Sequence, residues 1–110
     1  MSSKTDLRVV LGVDGEAKFT ATMKNLEAQQ KAIKSETKNA TSALSENAKE
    51  YEKAGIKADG LTKQIAAQEK KVLELKTAYE KSIETKGKDD KTTLDLQTRY
   101  NNADTSLNNM

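Results

Sequence analysis

The chain has 110 residues, of which 33% are charged and 35% hydrophobic, and its formal net charge is +2. Because it has no Cys and no His, disulfides, thiol chemistry and the commonest general base and metal ligand are excluded. Its charges alternate in sign, so we expect no specific nucleic-acid site, and it has no run of 18 apolar residues, so we expect no membrane span. The first residues lack an apolar stretch behind their charge, so we expect no secretory signal among them.

Residues 1–15 are predicted to form a short N-terminal strand followed by a turn. Leu7, Val9 and Leu11 recur at every second position, which is typical of a strand with one apolar face. No other segment alternates in this way, so these residues are interpreted as a docking strand whose partner comes from outside the chain. That partner is either a second copy of the segment or the sheet edge of another protein. The alternative is a tail that is ordered only by packing.

The turn after this strand leads into the first long helix. Asp14 and Gly15 are expected to turn the chain, with Asp14 capping a helix that begins at Glu16. A glycine-bearing run after a strand also suggests a phosphate-binding turn, but 12–18 has neither the GxxxxGK[ST] nor the GxGxxG spacing. A strand-to-helix turn is therefore the preferred interpretation.

Residues 16–110 are predicted to be a helical, coiled-coil-like region. From Phe19 to Met110, seam positions recur in steps of four and three without losing phase, which favours α-helix over strand. The seam residues expected to pack helices and to mediate oligomerisation are Phe19, Met23, Leu26, Ile33, Leu44, Leu61, Ile65, Val72, Leu75, Tyr79, Leu96, Tyr100 and Leu107. The large apolar residues that lie off the seam are Ile56, Leu73, Ile83 and Leu94.

Polar side chains occupy several positions of this seam. In phase with the apolar residues are Gln30, Thr37, Asn47, Gln68, Ser82, Lys86 and Thr93. A seam diluted in this way predicts soft helices with breaks where the apolar residues are sparse.

Two breaks in the helical region are predicted, one near 45–60 and one near 85–90. The side chains of residues 45–47 are of types that can cap a helix end. Gly55 and Gly60 each lower helix propensity by about 1 kcal/mol relative to Ala. Gly87 suits the residue after a helix end, and Asp89 or Asp90 can cap the next helix.

These breaks divide the region into helices near 16–44, 50–84 and 90–108. The fold class is therefore all-α, with two or three extended helices after one short strand. The alternative is a single unbroken helix of about 140 Å.

No constellation of residues predicts catalysis or a cofactor. Asp89, Asp90 and Asp95 lack the spacing of a calcium-binding loop and are more simply a helix cap and a solvated face. Tyr51, Tyr79 and Tyr100 could stack on nucleic-acid bases, but they lie on the seam and are expected to pack there. With no His and no pocket-forming core, we expect no enzyme, no metal and no cofactor.

The run from Val9 to Glu16, followed by Phe19, resembles the N-terminal opening of tail tape measure proteins of long-tailed phages and prophages of Gram-positive bacteria. The resemblance then continues through Leu26, 34–36, 61–72, Leu75, Gly87, Gln97, 101–103, Leu107 and Met110. It departs from the family at Leu96, where Trp is frequent, at 86–88, and at Gly55 and Gly60.

The resemblance implies an N-terminal segment of a much longer structural protein. Such a protein lies along the inside of the tail tube, sets tail length and leaves the tube ahead of the DNA. The implied partners are further copies of the chain and the tail tube, tail assembly chaperone and tail tip proteins. The implied locations are the tail lumen of the virion and, during assembly, the bacterial cytoplasm. The alternatives are a small helical-hairpin module that binds one protein, and an adaptor coiled coil tied to membranes or nucleic acid, which the mixed charge disfavours.

Overall fold

The computed structural model describes residues 4–44 and 49–110, and within these residues the protein is all-α, as expected. The four helices are α1 (Lys4–Leu11), α2 (Val13–Ser42), α3 (Glu50–Lys86) and α4 (Lys91–Asn108). The molecule measures 59 × 24 × 18 Å. One unbroken helix would be about 140 Å long, so the chain folds back on itself rather than forming a single rod.

Helix α3 is the longest element, and the other helices pack against it. Its 37 residues span about 55 Å, close to the full length of the molecule. Helix α2 runs antiparallel to α3, since Gln30 hydrogen-bonds Gln68 while Thr37 faces Gly60. Helix α4 is also antiparallel to α3, and α1 lies across α2 and α3.

The predicted N-terminal strand is wrong, because residues 4–11 form helix α1. Leu7, Val10 and Leu11 have the i, i+3, i+4 spacing of a helix face, so the segment fits two periodicities. Burial shows that the helical periodicity is the one adopted. Val10 is 3% exposed, whereas Val9, which the predicted strand would place on the apolar face, is 58% exposed. Packing against α2 and α3 outweighs the strand preference of the β-branched residues, and no external partner strand is required.

Gly12 separates α1 from α2. Its φ of +81° is in the region that favours glycine, and its N–H donates to the Arg8 carbonyl to close α1. Helix α2 therefore begins at Val13, three residues earlier than expected. Asp14, expected to be the cap, lies exposed in the first turn of α2.

The first helix break lies at the start of the predicted range. Helix α2 ends at Ser42 and α3 begins at Glu50, while the capping residues predicted at 45–47 lie outside the described residues. Helix α3 continues through Gly55 and Gly60 without interruption. The two glycines therefore lower the helix propensity of this part of α3 without ending the helix, because packing against α2 stabilises α3.

The second break has the local chemistry expected from the sequence. Gly87 ends α3 with a φ of +91°, and its N–H donates to the Ile83 carbonyl. Asp90 caps α4, since its side chain accepts a hydrogen bond of 2.9 Å from the Thr92 N–H. The cap expected at Asp89 or Asp90 is therefore confirmed at Asp90.

The core lies toward one end of the molecule. The buried cluster consists of Leu7, Phe19, Met23, Leu75, Ala78, Leu96 and Ala103. Packed against it are the half-buried Leu11, Val72, Tyr79 and Tyr100. We call this region, residues 6–30 and 65–110, the packed end. The remainder, residues 31–42 and 50–64, contains only α2 and α3 and is called the hairpin arm.

Candidate functional site

The seam residues predicted from the sequence fall into three groups by burial. Five are buried: Phe19, Met23, Leu26, Leu75 and Leu96. Seven are half-buried: Ile33, Leu44, Ile65, Val72, Tyr79, Tyr100 and Leu107. The remaining one, Leu61, is 44% exposed and lies in the hairpin arm. Of these thirteen residues, twelve are at least half-buried and Leu61 is exposed; Tyr51 and Met110, which lie on the same seam, are also exposed.

Residues off the seam behave differently. Leu73, Ile83 and Leu94 are exposed, whereas Ile56 is half-buried. The docking residues predicted at the N-terminus also divide, with Leu7 buried, Leu11 half-buried and Val9 exposed. Leu7 and Leu11 face the chain's own core on helix α1, Val9 faces solvent, and the three do not form a docking strand.

Two polar seam residues join α3 to α4 beside the second break. The hydroxyl oxygens of Ser82 and Thr93 lie 2.6 Å apart, and both residues are fully buried. The Thr93 hydroxyl donates to the Gly87 carbonyl at 2.7 Å. A threonine hydroxyl has one proton, so Ser82 must be the donor to Thr93. The Thr93 hydroxyl therefore supplies a hydrogen bond to the Gly87 carbonyl in the turn, and Ser82 supplies one to Thr93.

A second polar group joins α2, α3 and α4 where the packed end meets the arm. The buried Gln68 amide donates to the Ala103 carbonyl at 2.8 Å and accepts from the Gln30 amide at 2.8 Å. Gln64 donates to the Gln30 carbonyl at 2.7 Å. Since a shift of any helix along its axis would break these bonds, they set the helix register. From the sequence, Gln30 was interpreted as a polar interruption of the apolar seam, and its role in the helix register was missed. Its position in phase with the seam was the signal that it faces another helix.

One carboxylate is buried near the junction of α1 and α2. Glu16 is 2% exposed, and its Oε2 lies 3.6 Å from Nε of Arg8. Thr20 donates to Glu16 Oε1 at 3.2 Å. An ion pair and a hydrogen bond together compensate the desolvation of this carboxylate and tie α1 to α2.

The described residues contain neither a cluster of metal ligands nor an unsatisfied buried polar side-chain atom. Within 4–44 and 49–110 no group of three or more carboxylates is placed to hold a metal ion. Over the same residues every buried side-chain nitrogen and oxygen has a hydrogen-bond partner. We therefore take the surface of the hairpin arm as the candidate site.

Helices α2 and α3 approach closely in the hairpin arm. Gly60 is buried on α3, and a Cβ added there would overlap the Thr37 side chain of α2. An added Cβ at Gly55, in contrast, would meet nothing within 4 Å. Gly60 therefore allows the two helices to pack tightly at this point.

A groove follows the α2–α3 contact along one face of the arm. Its cavity of about 380 Å³ is lined by Lys34, Thr37, Lys38, Thr41, Ser42, Lys57, Gly60, Leu61 and Gln64. It adjoins a cavity of about 570 Å³ that shares Lys34, Leu61 and Gln64 and reaches Ser106 and Met110. We call the two together the arm groove. It begins beside the end of α4 and has the exposed Leu61 in its wall.

The charges around the arm groove are one-sided. Lys34 and Lys38 on α2 and Lys57 on α3 line the first cavity, and no carboxylate does. Among the described residues none of these three lysines lies in an ion pair, although Asp59 and Lys63 nearby do. The first cavity thus combines Leu61 and small polar side chains with three lysines that lie in no ion pair among the described residues, and the adjoining cavity adds Lys31, Met110 and the carboxylate of Glu27.

No protein-family model, no curated protein and no solved structure matches the chain. Across the residues that the structure describes, no helix has the length and apolar character needed to cross a membrane. Function is therefore inferred from the residues, from the resemblance they carry and from the arm groove.

Proposed function

We propose that the chain is a structural segment of a phage tail tape measure protein, without a catalytic role. In this proposal the full protein sets tail length inside the tail tube and is released during genome ejection. It is in the bacterial cytoplasm during assembly and then in the tail lumen of the virion. The resemblance of the stretches 9–16 and 61–72 to that family supports the proposal.

The observation that carries the structural role is the uneven cover of the seam. At the packed end the seam is buried by the chain's own helices, whereas in the arm it leaves Leu61 exposed beside a groove. An uncovered seam position gives a scaffold a surface for other chains. The partners proposed are further copies of this chain and the tail tube, tail assembly chaperone and tail tip proteins.

The folded shape changes the length that this segment would contribute along a tail. A helix rises 1.5 Å per residue, so 16–108 as one helix would span about 140 Å. Folded back, the whole molecule extends 59 Å. A segment that stays folded in the tail therefore contributes less than half the length that its residue count suggests.

The test is the protein content of tails before and after ejection. Mass spectrometry of purified tails from the source phage or prophage is expected to detect peptides of this chain. After ejection is triggered, those peptides are expected to leave the tail while the tube protein remains as the internal control. Absence of the chain from tails, or its retention after ejection, would contradict the proposal.

A helical-hairpin module that binds one protein is the second candidate. It is favoured by the core of the packed end, which one chain completes by itself. Size-exclusion chromatography with light scattering separates the two. A compact monomer at every concentration favours the module, and an elongated, concentration-dependent oligomer favours the scaffold.

In that experiment Leu61→Ser distinguishes oligomers that form through the arm groove from oligomers that form through another surface, and the scaffold proposal requires only that oligomers form. Leu61 is exposed, so this substitution changes the surface and leaves the core intact. Leu75→Ser, by comparison, would disrupt the buried cluster and lower oligomerisation through unfolding.

A further inference from the structure

We propose that the arm groove binds an amphipathic helix of another protein that carries carboxylates on both sides of an apolar stripe. This inference deepens the protein-binding role proposed above and rests on it. It follows from the shape of the groove, from its position on the seam and from its charge.

The first step concerns the kind of element that fits. Leu75 lies two heptads beyond Leu61 on the same seam of α3, about 21 Å along the axis. There it packs in one cluster with Leu96 and Ala103 of α4. Among the described residues, Ser106 and Met110 reach the cavity that Leu61 lines, and Leu61 is still 44% exposed. A helix packed along the groove would cover Leu61 as α4 covers Leu75, which is the helix-in-groove mode of recognition.

The second step concerns the length of the bound helix. On α2 the two cavities together run from Glu27 to Ser42. Fifteen helical steps correspond to about 22 Å, which a partner helix of about four turns would span. Its apolar residues at i, i+3 or i+4, and i+7 would face Leu61 and the methyl groups of Thr37 and Thr41.

The third step concerns charge. Lys34 and Lys38 are one turn apart on α2, and Lys57 lies on α3 across the groove. The adjoining cavity adds Lys31 and a single carboxylate, Glu27. A second copy docked symmetrically through this groove would bring the same lysines face to face, and like charges at close range are unfavourable. Carboxylates on the flanks of the partner helix would instead neutralise them.

The experiment measures binding of designed helices to the whole 110-residue chain. One fluorescein-labelled peptide of about 16 residues carries a Leu stripe flanked by Glu, and its matched control has Lys in place of every Glu. Fluorescence anisotropy is expected to show saturable binding of the acidic peptide and at least tenfold weaker binding of the basic one. Raising the salt concentration is expected to weaken the acidic complex.

Two variants of the chain locate the site. Lys34→Glu/Lys38→Glu is expected to weaken binding about tenfold or more, whereas the charge-matched control Lys70→Glu/Lys76→Glu, on exposed positions of α3 outside the groove, is expected to leave it unchanged. Leu61→Ser is expected to weaken binding with no change in the helical circular-dichroism signal or the unfolding midpoint.

The outcomes that overturn the inference are specific. They are equal binding of the two peptides, no binding of the acidic peptide at millimolar concentration, and no effect of Lys34→Glu/Lys38→Glu. Self-association of the chain that Leu61→Ser abolishes would overturn it too, because the groove would then hold a second copy. Detection of the chain in tails and its release do not depend on this groove, so failure here and failure of the tail proposal are distinguishable.

Discussion

The packed end and the hairpin arm are built on the same two helices but differ in what covers them. At the packed end α1 and α4 complete a cluster around Leu75 and Leu96, and the polar seam residues pair across helices. In the arm, as far as the structure describes it, α2 packs against α3, and Leu61 is 44% exposed. One heptad pattern can therefore supply a core in one part of a molecule and a binding surface in another, depending on how many helices are present.

The largest expected difference between the two regions is the cost of removing a leucine. Leu96 is fully buried, so Leu96→Ala is expected to lower the free energy of unfolding by about 2–5 kcal/mol. Leu61→Ala removes an exposed side chain and is expected to cost about 0.5 kcal/mol or less. Urea denaturation followed by circular dichroism measures both. Similar losses would mean that Leu61 is covered in solution.

A second test concerns the hydroxyl pair of the packed end. Thr93→Val keeps the shape of the side chain but leaves the Ser82 hydroxyl and the Gly87 carbonyl without their partner. We expect a loss of about 1–3 kcal/mol in unfolding free energy. Adding Ser82→Ala should cost less in the Thr93→Val background than in the wild type. Strictly additive losses in this double-mutant cycle would argue against a direct bond.

The third test compares two glycines of the hairpin arm. Gly60→Ala gains helix propensity, but its Cβ overlaps Thr37, so we expect a net loss of about 1–2 kcal/mol in unfolding free energy. Gly55→Ala meets open space and is expected to raise stability by up to about 1 kcal/mol. Thr37→Ala in the Gly60→Ala background should recover most of the loss. Thermal unfolding of the three variants and the wild type checks this, and equal gains from both alanines would mean that α2 and α3 separate in the arm.

The smallest expected effect concerns the cap of α4, which closes the packed end. Asp90→Ala removes the bond to the Thr92 N–H and is expected to cost about 1 kcal/mol in unfolding free energy. Asp90→Asn can make the same bond and serves as the control, with little loss expected. Hydrogen exchange of the Thr92 amide reports the local change. Equal protection in both variants would show that the cap contributes little.

Local features were the ones that could be predicted from the sequence. The predicted second helix at 50–84 and third helix at 90–108 lie within two residues of α3 and α4 at each end. Gly87 and Asp90 end and begin helices through bonds to their immediate neighbours, so their roles depend on little else. The first segment was predicted wrongly because Leu7, Val9 and Leu11 fit a strand while Leu7, Val10 and Leu11 fit a helix, and only packing distinguishes the two.

The candidate site was less predictable. Leu61 was recognised as a seam residue, but its exposure depends on how α2 and α4 lie against α3. The pairing of Gln30 with Gln68, and of Ser82 with Thr93, depends on which helix faces are brought together. The need for glycine at position 60 was not apparent until Thr37 was placed against it.

The sequence by itself determined that the region after residue 15 is helical and that one helix ends at Gly87 and the next begins after Asp90, because heptad spacing and glycine or aspartate at helix ends act over a few residues. The tertiary structure decided that the seam is buried within one chain over the packed end and exposed at Leu61 in the arm. The physical reason is that an apolar stripe is satisfied equally by a neighbouring helix of its own chain or of another, and only the path of the chain selects between them.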